Sequence, residues 1–144
     1  MAGSTLIQIA DGVAASLNAA TFALPFTAVR SYQPEYSPAE LATLRVSVVP
    51  ETVDGERKTR ATFEEDHKVS VLVQQRPDGL ADADLDALTA LVEAIGDHLK
   101  TAPLAGLPGV QCVAVSNAPV FAPERLAEFR EFCSLLVVTY RTWR

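Results

Sequence analysis

The sequence has few of the residues on which metal sites and nucleophilic catalysis usually depend. Its 144 residues include only two histidines, two cysteines and one tryptophan. No segment approaches the roughly 20 apolar residues that span a membrane, so we expect no membrane association. The N-terminus has no basic segment followed by an apolar block, so we expect no signal peptide and synthesis in the cytosol. These absences disfavour a membrane protein, a secreted disulfide scaffold and a zinc-binding domain.

Basic residues are also in deficit. Twelve lysines and arginines stand against 18 acidic residues, which gives a net charge of −6. An acidic chain is a poor candidate for non-specific nucleic-acid binding, because that binding depends on neutralising phosphates. The same charge suits a surface that DNA passes without adhering. The length favours one domain over residues 1–144.

Two stretches resemble metal sites, and neither fits one closely. Asp82, Asp84, Asp86 and Glu93 imitate a calcium-binding loop, but the sixth position holds an alanine where that loop turns at glycine. Residues 64–67 read Glu-Glu-Asp-His, and the spacing to the second histidine, His98, matches no usual zinc pattern. We therefore predict no metal site and no bound cofactor.

Sequence motifs of catalysis are missing as well. The chain has no Gly-x-Ser-x-Gly elbow, no phosphate-binding glycine loop and no dinucleotide fingerprint. We expect no enzymatic activity and no catalytic residues, although catalytic triads assemble in space and a small enzyme stays an open alternative. Cys112 and Cys133 lie in apolar, strand-like segments, which predicts buried thiols in preference to a disulfide.

Hydrophobic periodicity predicts the secondary structure. Apolar residues recur at helical spacing over residues 4–18 and 82–99, and the second segment has acidic residues in its first turn. Short strands are expected near 27–32, 44–49, 67–75 and 110–115, with a longer one at 131–144. The order predicts an α+β fold: a mixed or antiparallel sheet of about five strands with two main helices packed on it.

Residues 51–65 interrupt this pattern with charges of both signs and an Asp-Gly turn signal at 54–55. We interpret them as a projecting polar arm, either a mobile hairpin or a partly disordered loop. Arg57, Lys58 and Arg60 form a basic cluster there. The cluster is either a solvated loop tip or a contact to an acidic neighbouring surface.

Side chains of the last strand, residues 131–144, alternate between two faces, and both faces are largely apolar near the middle of the strand. A strand covered on both faces lies either inside a sheet or against a partner subunit. We therefore add Tyr140 and Trp143 to the basic cluster as candidate assembly residues. Edge-to-edge pairing of strands between subunits offers one route to a specific assembly.

Three stretches resemble the tail terminator, or tail completion, proteins of long-tailed bacteriophages. They are an N-terminal helix leading into residues 19–34, the strands 44–50 and 67–74 on either side of the polar arm, and residues 117–141. The resemblance covers most of the chain and lies in its layout, and the family has no catalytic residues to transfer.

The resemblance implies a small α+β subunit that forms a ring, commonly a hexamer, in the tail or neck of a virion assembled in the host cytoplasm. The ring caps the tail tube protein, stops tube growth and joins a head-completion or connector protein, and DNA passes through its lumen. Two alternatives remain: another neck or tail component, such as a head-completion or tube-like subunit, and a cytosolic binding module or small enzyme.

Overall fold

The computed structural model describes most of the chain. The described residues are 4–34, 36–37, 39–76, 82–104, 106–107, 109–117, 123–129 and 131–143. The elements in chain order are α1 (Thr5–Ala19), β1 (Ala28–Arg30), a 3₁₀ turn (Glu40–Ala42), β2 (Arg45–Arg57), β3 (Phe63–Gln75), α2 (Asp82–Thr101), β4 (Gln111–Asn117), α3 (Pro123–Phe129) and β5 (Phe132–Trp143).

The strands form one mixed sheet in the order β1-β2-β3-β5-β4. β1 runs parallel to β2, and the other neighbouring pairs are antiparallel. The predicted α+β class with five strands and two main helices is thus confirmed. The last strand is central, because β5 lies between β3 and β4, which accounts for its apolar residues on both faces.

Both main helices pack on one face of the sheet and share its core. Ile9 and Val13 of α1 and Val92 and Ile95 of α2 are at most 1% exposed. They lie in one hydrophobic cluster with alternate residues of the three central strands. The helical stripes read from the sequence therefore correspond to the buried faces, with α1 over β1–β3 and α2 over β4 and β5.

Side-chain hydrogen bonds fix the start of α1, the start of the 3₁₀ turn and the position of β1. The Ser4 side chain accepts a hydrogen bond from the Ile7 amide at 3.5 Å and caps α1. Ser37 and Glu40 exchange the two side-chain-to-backbone bonds of a capping box before the 3₁₀ turn. The Asn18 amide group bonds both the N–H and the C=O of Ala28, at 2.7 and 3.0 Å, and so attaches β1 to the end of α1.

The polar arm is a regular hairpin. β2 and β3 remain paired along its whole length, from Arg45 opposite Gln74 to Arg57 opposite Phe63. The predicted turn at Asp54-Gly55 is wrong, because both residues lie within β2 and the chain reverses at residues 58–62. The expected strand ends near residues 49 and 67 are likewise wrong, since each strand continues into the arm past a register shift between Pro50 and Thr52.

The second face of the sheet is only partly covered. Tyr36 lies against it, with its hydroxyl 3.0 Å from Ser47 Oγ. Nearby, Leu41 is buried and its carbonyl accepts a 2.7 Å hydrogen bond from the Arg76 amide. Leu135 and Val137 remain half-exposed on the same face. The thiols of Cys112 and Cys133 are not joined and are also only half-buried, so the expected burial of both is wrong.

Candidate assembly surfaces

The basic cluster lies at the tip of the hairpin arm, but its members have different surroundings. The Arg57 guanidinium stacks over the Phe63 ring at 4.5 Å and donates hydrogen bonds to the carbonyls of Thr59 and Arg60, at 3.4 and 2.9 Å. Arg57 therefore holds the turn in shape. Lys58 lies 3.3 Å from Glu56 in an exposed ion pair, and the Arg60 side chain is exposed.

The arm is joined to the last strand by an ion-pair network on the second face. Arg141 Nε lies 2.8 Å from Asp66 Oδ1 and 3.0 Å from Glu64 Oε1, and Arg141 also donates to Asp66 Oδ2 at 3.2 Å. The hydrogen bond from Arg141 lowers the pKa of Asp66. This two-point carboxylate contact fixes the base of the arm against β5.

Tyr140 and Trp143 occupy opposite environments. Tyr140 is 1% exposed and belongs to the core that the helices cover. As folded, its side chain offers no surface to a neighbouring subunit, so its expected place at an interface does not fit this position. Trp143 is 48% exposed at the end of β5, opposite Glu64 of the arm. It is therefore accessible to a partner, and its assembly role remains a prediction.

The structure brings together one serine and one histidine that the sequence could not link. Ser16 Oγ of α1 lies 2.9 Å from His98 Nε2 of α2, and Phe22 contacts the imidazole edge-on at a centroid distance of 5.7 Å. Among the described residues no carboxylate is hydrogen-bonded to His98, so the pair lacks the third group of a triad. Its visible effect is to connect the two helices.

The described residues lack features of metal binding and of membrane insertion. They contain no group of three or more histidine, cysteine, aspartate or glutamate side chains positioned to hold a metal ion. No described helix is long and apolar enough to cross a membrane. Two open grooves lined by described residues lie between α2 and β4 and beside β1.

No protein-family model and no curated protein matches this sequence. A solved structure is nevertheless similar: a chain of the virion of a native gene transfer agent (GTA) particle. The two superpose with a TM-score of 0.67 at 20% sequence identity, over 99% of this chain and 100% of that chain. At this identity the likeness establishes a shared fold, and it extends over both chains from end to end.

Proposed function

We propose that this protein is a structural component of a phage-like virion, and that it forms the ring that caps the tail tube. In this role it ends tail elongation and provides the surface that joins the tail to a head-completion or connector protein. Its partners are other copies of itself, the tube protein and the connector. DNA passes through the ring lumen without sequence-specific contacts, and the protein has no enzymatic activity.

The observation that carries the proposal is the end-to-end likeness to a chain of a virion particle. The likeness covers 99% of this chain and 100% of that chain. The likeness by itself concerns the fold. The tail terminator role comes from the separate resemblance of residues 19–34, 44–50, 67–74 and 117–141 to that family.

Features of the subunit also favour assembly over catalysis. The hairpin arm extends past the core on strands whose residues 51–57 are all exposed. β5 pairs with the β3 side of the arm up to Glu64, but the outer edge of β2 in the arm has no described strand beside it. Such an open edge is typical of a segment that gains contacts in an assembly. A net charge of −6 is compatible with a DNA passage.

The direct test is whether the protein stops the growth of a tail tube. Purified tube protein from the same virion is allowed to polymerise with and without this protein, and tube lengths are measured by electron microscopy. We expect shorter tubes with one ring on an end. Unchanged tube lengths with bare ends contradict the capping role, and incorporation along the tubes indicates a tube-like subunit instead.

A further inference from the structure

Both edges of the sheet leave strand length without a neighbour in the described chain. β1 pairs with only Val46–Val48 of β2, and the Ser31 amide adds a last hydrogen bond to the Val48 carbonyl at 2.9 Å. Beyond Val48, the outer edge of β2 runs on to Arg57 with no described strand beside it. β4 forms the opposite edge, paired only with β5.

The two open edges lie at the same height in the sheet. One row of paired residues runs from Val48 through Val71 and Leu136 to Asn117. In each following row the residue number rises along β2 and falls along β4. Each of these two strands has one register shift on the way. The last row of β4 joins Asp54 to Gln111 through Asp66 and Arg141.

Apart from Asn117, which lies at the height of Val48 and so of the last residue of β1, β4 spans the heights at which β2 has lost β1 as a neighbour. Three antiparallel steps separate the strands, so β4 also runs antiparallel to β2. A neighbouring subunit that is displaced sideways across the sheet, with no shift along the strands, places its β4 in the gap beside the arm and above β1. The gap and the strand match in height, direction and approximate length.

The composition of the two edges favours this pairing over self-pairing. The β2 edge carries Glu51, Asp54 and Glu56, so two such edges would oppose carboxylates. β4 contains no charged residue and no proline over its seven residues. Apart from the bulge at Val113, it therefore lacks the features that usually prevent an edge strand from pairing with another chain. Lys100 is close enough for its charge to act on Cys112, and it is paired with Asp97, which lines the groove beside β4. β4 itself therefore sets no carboxylate against the acidic residues of the β2 edge.

Apolar groups on both edges are left unfinished in the single subunit. Val53 is 45% exposed on the arm and Val113 is 42% exposed on β4. A groove of about 350 Å³ lies between α2 and β4, with Val115 and Leu136 among its lining residues. Strand pairing at this edge would cover part of this surface and satisfy the open backbone groups of both strands.

We infer that the outer edge of β2 in the arm of one subunit pairs antiparallel with the outer edge of β4 in a second copy. The contact is head-to-tail, since a different edge is used on each side, and a closing rotation turns it into a ring. It places Val53 beside Cys112 of the second copy and Asp54 beside Gln111. This assignment rests on the proposed ring and names the surface that builds it.

An engineered disulfide tests the pairing. In Cys133→Ser protein, Val53→Cys places a thiol one strand from Cys112 of the next copy, within the roughly 4.4–6.8 Å Cα separation that a disulfide needs. Inside one subunit the same residues are three strands apart, about 14 Å, so they cannot join. Oxidised glutathione is used at mildly alkaline pH, because burial raises the pKa of the Cys112 thiol.

We expect a ladder of covalent multimers on a non-reducing gel, ending at the ring. Val29→Cys in the same Cys133→Ser background is the matched control, because Val29 is 52% exposed on β1 but lies at the height of Ser47, well away from Cys112. It should give no ladder.

The native mass of each sample is measured in parallel by light scattering. Rings without the 53–112 bond overturn the edge assignment and leave the ring intact. Cross-linked open chains support the edge but contradict the ring. Protein that forms neither contradicts both proposals, and bonding through Cys112 alone indicates that two β4 edges pair with each other.

Discussion

At the scale of single residues, burial of the Tyr140 hydroxyl is the clearest energetic cost to the folded state. Its hydroxyl is buried and has no hydrogen-bond partner among the described residues, and this burial raises the pKa of the phenol. An unmade hydrogen bond at a buried group costs roughly 1–3 kcal/mol. Tyr140→Phe should therefore leave the free energy of unfolding unchanged or raise it, as measured by urea denaturation.

The paired control is Tyr140→Ala, which removes the ring and should destabilise the fold by about 3–5 kcal/mol. A loss of stability in Tyr140→Phe comparable to that of the alanine variant would show that the hydroxyl is engaged in the native fold.

Asp66 gives a prediction about pH. The Arg141 hydrogen bond holds the pKa of Asp66 below its usual value, so the interaction stabilises the fold fully above the unfolded aspartate value of about 3.9 and is lost as pH falls through the folded-state pKa. Asp66→Asn should therefore be less stable than the parent protein at neutral pH. The difference should shrink once both are acidified below that pKa.

Urea denaturation midpoints at pH 7 and at the lowest pH where the protein stays folded measure this effect. Asp97→Asn is the comparison, because the Asp97 side chain is 74% exposed and its pair with Lys100 lies on the surface. A gap between Asp66→Asn and the parent that stays constant with pH would mean that Asp66 acts through something other than its charge.

At the scale of elements, the three basic residues at the hairpin tip differ in their contacts. Arg57 contacts Phe63 and the turn carbonyls, whereas Lys58 makes only an exposed ion pair with Glu56 and the Arg60 side chain is exposed. Lys58→Glu with Arg60→Glu should leave the unfolding midpoint nearly unchanged and weaken assembly or attachment to the tail. Sedimentation and tube binding measure the effect.

A double variant at Lys68 and Arg76, both also to glutamate, changes the net charge equally away from the tip and is the control. Equal assembly by both double variants and the parent would leave the tip as a solvated turn, the other interpretation of its sequence.

The elements that bury a face were the ones predictable from sequence. The stripe of α2 and the alternation of β5 report burial, and both elements lie where the pattern predicts them. The sequence left the arm open between a hairpin and a partly disordered loop, because the arm buries neither face near its tip and backbone pairing there leaves no hydrophobic period. The Asp-Gly pair at 54–55 was misleading for the same reason, since only pairing with Glu65 and Asp66 places it inside a strand.

The position of each strand in the sheet could not be predicted from the sequence, for a different reason. β5 could be recognised as covered on both faces, but its place between β3 and β4 depends on long-range pairing. Tyr140 illustrates the consequence: a strand that is apolar on both faces suggested an interface, whereas the position of β5 inside the sheet directs Tyr140 into the core. The contact between Ser16 and His98 likewise depends on how two distant helices pack.

At the scale of the whole molecule, the described sheet has, on each side, a length of edge strand without a neighbouring strand. One face of the sheet carries the helices, the arm extends past them, and β2 and β4 each end in an open edge at the same height. In the proposed ring, these open edges pair with neighbouring copies. The chain of the gene transfer agent virion has the same fold over its whole length.

The most direct test is the absolute mass of the purified protein by light scattering, with negative-stain images of the same fractions. The account predicts a closed ring of one fixed mass that does not grow with concentration. Open tubes of increasing length would contradict the terminator role, and a strict monomer that also fails to bind tail tubes would contradict the ring itself.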